Sequence, residues 1–192
     1  MGIKMKPVVG LKTKKRIFFR RMVFMWFSVL LFPLANLITA AVTGASVVTA
    51  YLMPSPMFPF LPAAVVFILG AVAEELFYRW FLLKKVYFQT TKLKPILSIL
   101  IVSVLFAAMH LWNLQTFPSA ILPVLVQVFS AFCFSIWAGA VVWRTERILI
   151  PLIAHVLLNA TAADAEIAWV SVLVSIAVLA DGVVLLEGEK TQ

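Results

Sequence analysis

This sequence predicts an all-α, polytopic membrane bundle of about six spans, and three observations carry that prediction. Of its 192 residues, 64% are hydrophobic and 12% are charged, whereas a soluble domain is nearer half apolar and a quarter charged. The mean hydropathy is +1.07, and most of the apolar runs approach the length that crosses a bilayer's hydrocarbon core. Finally, Lys and Arg cluster between alternate runs while the intervening connectors carry none. Six spans with both termini cytoplasmic satisfy the positive-inside rule without exception. No polar stretch is long enough for a second unit, so residues 1–192 read as one membrane-embedded domain.

The net charge of +8 would suggest nucleic acid in a soluble protein. Here half of the sixteen basic residues lie between Lys4 and Arg21, directly ahead of the first apolar run. That is the cytoplasmic flank of a membrane protein, facing anionic lipid head groups, and it implies no nucleic-acid partner. The single cysteine, Cys133, lies mid-span and excludes an internal disulfide. It reads as a small apolar residue.

In chain order, residues 1–21 form a basic cytoplasmic arm and residues 22–42 the first span, with Pro33 as a kink site. A cleaved signal ending near Thr39, Ala40 and Ala41 is the competing reading, but both regions are long for one. The uncharged, proline-bearing connector 44–59 leads to a second span over 60–83, closed by Lys84 and Lys85. After a short basic loop, Pro95 opens a third span that reaches His110 or Trp112. An uncharged loop, 113–118, precedes a fourth span over 120–143. Arg144 and Arg147 follow, and the fifth span has Pro151 near its start and continues to about 160. Asp164 and Glu166 mark the next loop, before a sixth span over 167–186.

The second span carries the costliest residues. Glu74, Glu75 and Arg79 sit in an otherwise apolar run, and each needs a partner or water inside the protein. On a helix Glu75 and Arg79 share a face and can pair. Glu74, rotated about 100° from Glu75, is left free for chemistry. An ion-pair cluster that only fixes packing is the structural alternative. Both histidines of the chain, His110 and His155, also lie in apolar spans, with Phe106 and Asn159 one helical turn from each. A lone intramembrane histidine is often only an interhelical hydrogen-bond partner; two, on different spans from the acids, argue for a shared site. Counting helical rise from the basic ends puts Glu74 about 15 Å deep and His155 about 12 Å, but His110 about 22 Å. Helix tilt or a later start of the third span must absorb that difference.

The patterns Glu74-Glu75-x-x-x-Arg79, Phe106-x-x-x-His110 and His155-x-x-x-Asn159, in that order, resemble the three motifs of the CPBP family (CAAX proteases and bacteriocin-processing enzymes, also called Abi). The resemblance covers about residues 60–160 and implies an intramembrane glutamic endopeptidase without a cofactor. Carried over, Glu74 is the base that activates water and His110 helps hold that water. His155 and Asn159 stabilise the oxyanion, and Glu75, Arg79 and Phe106 support the site. A carboxylate in a low-dielectric cavity and an imidazole with an amide donor suit that chemistry on physical grounds.

Other protease designs fit worse. There is no His-Glu-x-x-His zinc motif, no rhomboid-type serine motif, and no aspartyl-protease context around Asp164 or Asp181. A zinc site of Glu74, His110 and His155 with water as fourth ligand stays open. So do a non-proteolytic immunity or scaffold protein binding a peptide in the same cavity and, least favoured, a proton-coupled transporter. The length resembles a minimal prokaryotic member, which implies the cell (inner) membrane and a membrane-associated peptide or protein substrate.

Overall fold

The apolar runs fold as helices, the form in which a lone segment pairs all its backbone groups internally. The computed structural model describes residues 9–44, 60–161 and 168–187, and no strand occurs among them. Six rods result: α1 Val9–Thr43, α2 Ala63–Glu75, α3 Pro95–Met109, α4 Ile121–Thr145, α5 Leu149–Thr161 and α6 Ala168–Glu187. The expected connector 44–59 lies outside the described residues beyond Gly44, as do residues 1–8 of the arm and the loop holding Asp164 and Glu166.

Several boundaries differ from the sequence reading. Helix α1 begins at Val9, so much of the basic arm is helical, consistent with the good helix propensity of Lys and Arg. The second rod does not stop at Leu83. It continues from Glu75 as a wide π-helical stretch, Leu76–Tyr87, and closes with a short α-turn, Phe88–Thr90. Pro95 is at the start of α3 as expected, but the expected loop after Trp112 is partly helical. A 3-10 turn, His110–Trp112, passes into a further turn, Asn113–Thr116.

Among the described residues, four stretches are long and apolar enough to cross a membrane: Met25–Thr43, Pro95–Thr116, Ile121–Thr145 and Val170–Glu187. Helix α5 has 13 residues, short for a crossing by itself. The α2 rod carries Glu74, Glu75, Arg79, Lys84 and Lys85, which lowers its hydropathy.

Helix α4 is the axis of the bundle. Its middle, from Cys133 to Val142, is buried almost all round, as expected of a helix apolar on every face. It packs most extensively against α6 and next against α3, while α1 lies against α5 and α6, and α2 against α5. Small residues permit this closeness. A methyl at Gly139 would stand 2.7 Å from the Ile99 Cγ2 of α3, and one at Gly182 would stand 2.9 Å from the Trp137 Cα of α4. At one end of the bundle Lys84 Nζ donates to the Glu146 carbonyl over 2.7 Å. The basic clusters that follow α2 and α4 therefore meet at the same end.

Candidate active site

The acidic pair divides its labour as the helix geometry predicts. Glu75 and Arg79 are both fully buried, with Arg79 Nη1 3.2 Å from Glu75 Oε1. The guanidinium lies over the Phe106 ring, 4.2 Å from its centroid, and within 5.6 Å of the Phe134 ring. Two aromatic faces thus share with Glu75 the task of holding a cation out of water. Glu74 points elsewhere. Its side chain is 40% exposed, and it opens into a cavity of about 420 Å³.

Helix α5 brings His155 across to both acids. Its Nδ1 lies 3.0 Å from Glu75 Oε1, so Nδ1–H donates to that carboxylate and fixes the ring's orientation. The other nitrogen, Nε2, is 3.8 Å from Glu74 Oε2. Glu75 is thus engaged by His155 as well as by Arg79, a contact the sequence did not suggest. One turn later Asn159 Nδ2 donates to the Phe67 carbonyl of α2 over 3.2 Å. This uses one of its two amide hydrogens and leaves the other.

His110 sits where α3 tightens into its 3-10 turn. Its Nδ1 donates to the Phe106 carbonyl over 3.0 Å, which leaves the Nε2 lone pair unused. The mismatch in depth counted from Pro95 does not keep it away, since His110 lines the same cavity as Glu74, His155 and Asn159. Phe106, 1% exposed, ties these parts together. Its ring lies 5.1 Å from His110, 5.9 Å from His155 and 5.1 Å from Tyr78.

A family model described as type II CAAX prenyl endopeptidase Rce1-like matches residues 56–161, more than half of the chain. The chain belongs to that family. The match is consistent with the CPBP resemblance of the three motifs, and a family of proteases supports, at a coarse level, a hydrolase of peptide bonds. Together with the four apolar helices it fits an integral membrane protein. No curated protein and no solved structure matches the chain.

In this Rce1-like chain, among the described residues no three His, Cys, Asp or Glu side chains gather closely enough to hold a metal ion. His155 commits Nδ1 to Glu75, and Glu74, His110 and His155 line one cavity.

Sequence reasoning missed several residues of the site. Tyr78 lines the cavity and is one turn from Glu74, so helical spacing could have found it. Gln127 and Asn113 also line it. Gln127 was findable as the one carboxamide in the span 121–145. Phe134, 5.1 Å from the His155 ring, carries no sequence signal, because any apolar span holds such residues.

Proposed function

We propose that this protein is an intramembrane endopeptidase that hydrolyses a peptide bond of a membrane-associated, C-terminally tagged substrate of CAAX type through a glutamate-activated water. One observation supports the reading above all. Glu74, His110, His155 and Asn159, carried on α2, the turn after α3, and α5, line a single cavity, backed by the buried Glu75–Arg79 pair.

In this reading a water lies between Glu74 and the Nε2 of His110. Glu74 removes a proton as the water oxygen attacks the scissile carbonyl carbon. The oxyanion that forms accepts hydrogen bonds from the spare amide hydrogen of Asn159 and from His155 Nε2, each worth a few kcal/mol, roughly, in a water-poor site. Because Nδ1–H donates to Glu75, Nε2 donates only when the ring carries both protons. The C–N bond then breaks, and the proton held on Glu74 passes to the departing amine. Arg79 holds Glu75 in place, and Phe106 supports Arg79 from below. The distribution of Lys and Arg supports the orientation that goes with this reading, six passes with both termini cytoplasmic, and the likeness to a minimal prokaryotic member would put it in a prokaryotic cell membrane.

The test is cleavage of a farnesylated reporter peptide bearing a CAAX tail by the protein in liposomes. The wild type releases the tail tripeptide, and Glu74→Gln does not, while its thermal unfolding is unchanged. Undiminished release by Glu74→Gln would sink the proposal. A Glu74→Gln protein that still fulfils its cellular role would favour peptide binding without hydrolysis.

A further inference from the structure

A peptide tail drawn from water to membrane depth leaves behind the solvent that satisfied its backbone. Every N–H and C=O must be paired in a water-poor site, and a segment extended enough to expose its scissile carbonyl cannot pair them within itself. These groups need partners from the enzyme, or each costs about 1–3 kcal/mol. Glu74, His110, His155 and Asn159 serve the reacting carbonyl and leave the flanking peptide groups unprovided for.

The same cavity contains a second polar feature that the proposed reaction does not use. Asn113, in the helical turn that follows His110, donates from Nδ2 to Gln127 Oε1 of α4 over 2.8 Å, and both residues line the cavity with Glu74 and His110. A carboxamide is an expensive residue in a membrane span unless it has a partner there. This pairing consumes one hydrogen of Asn113 and one lone pair of Gln127. It leaves the Gln127 NH₂ group as a donor and Asn113 Oδ1 as an acceptor, on two adjoining side chains of the cavity lining.

From this geometry we infer that Asn113 and Gln127 form a backbone-binding subsite that pairs with one residue of an extended substrate segment, Gln127 Nε2 donating to that residue's C=O and Asn113 Oδ1 accepting from its N–H. The pairing copies one rung of a β-ladder, so it recognises an extended conformation and is indifferent to side-chain identity. It selects for a segment already extended and positions the chain relative to Glu74. Both residues are thus positioning residues, and the inference rests on the proteolytic reading for its substrate class.

Binding measured without turnover separates the two claims. In liposomes carrying the Glu74→Gln protein, the farnesylated CAAX peptide and a series of analogues, each N-methylated at one backbone nitrogen, are titrated by fluorescence. Gln127→Leu added to this background weakens binding of the parent peptide about tenfold. N-methylation at one position costs about tenfold against the unaltered subsite and less than twofold against Asn113→Leu. Thermal unfolding of both variants stays within a few degrees of their background. Equal losses on N-methylation in both proteins, parent binding unaffected by Gln127→Leu, or no binding of the peptide to the Glu74→Gln protein would each overturn the subsite. Tight binding with the expected losses, alongside a wild type that cleaves nothing, would overturn the hydrolytic reading and leave the subsite standing.

Discussion

Glu74 and Asp181 are both carboxylates inside the apolar bundle, and their surroundings differ in a way that separates structure from chemistry. Asp181 on α6 accepts two hydrogen bonds on Oδ2, from Ser28 Oγ of α1 at 2.6 Å and from Trp137 Nε1 of α4 at 2.9 Å. Three helices are joined there by neutral donors. Glu74 Oε2 has no hydrogen-bond partner among the described residues, and the Nε2 of His155 lies 3.8 Å away. An acid whose lone pairs are spent on helix-to-helix bonds is committed to assembly. An acid that faces a cavity with an oxygen unspent is available to a water. Burial and charge alone would have ranked the two alike.

The sharpest way to break this contrast is to make the same change at each acid. Glu74→Gln is expected to lower cleavage by about 10²–10⁴-fold, the range for a lost general base, while leaving thermal stability unaltered. Asp181→Asn should do the reverse, as set out below. Arg79→Met removes the partner of a buried carboxylate. It should destabilise the protein by about 3–5 kcal/mol, read as a lower unfolding temperature in detergent, with activity falling because less protein is folded. Asn159→Ala takes away one oxyanion donor and should cost about 10²–10³ in kcat with little change in KM. Its contact with Phe67 is exposed, so stability should hold.

Asp181→Asn keeps the shape but weakens both bonds, so a loss of about 1–3 kcal/mol in stability with an unchanged cleavage rate per folded molecule is expected. A rate that falls as far as with Glu74→Gln would erase the distinction. The smallest effect is expected from strong chelators. If the water is activated by the carboxylate, dialysis against them leaves the rate within about twofold, whereas a loss of activity that added zinc restores would favour the metal reading.

The residues that belong to short patterns on single helices were legible in the sequence. Glu75 meets Arg79 and Phe106 meets His110 because a helix enforces a four-residue register. The meeting of three helices at one cavity was expected from the expense of charges in lipid, and in the structure Glu74, His110, His155 and Asn159 line one cavity. What could not be read was anything set by one helix approaching another. The bond from His155 to Glu75, the Phe134 ring under Arg79 and the Asn113–Gln127 pair all join residues distant in sequence. The π-helical stretch after Glu75 was also invisible, since apolar periodicity does not distinguish a widened coil from a regular one. Span ends were misjudged wherever a polar residue continued a helix, as from Asn113 to Thr116.

Gly139 has an effect that extends beyond its own contact. With no side chain there, Ile99 of α3 packs against the α4 backbone, and both rods border the chamber, His110 just past the end of one and Gln127 on the other. Their separation at that crossing is gauged by a hydrogen atom. The spacing of two helices that border the chamber is therefore calibrated deep in the bundle, at a residue outside its lining.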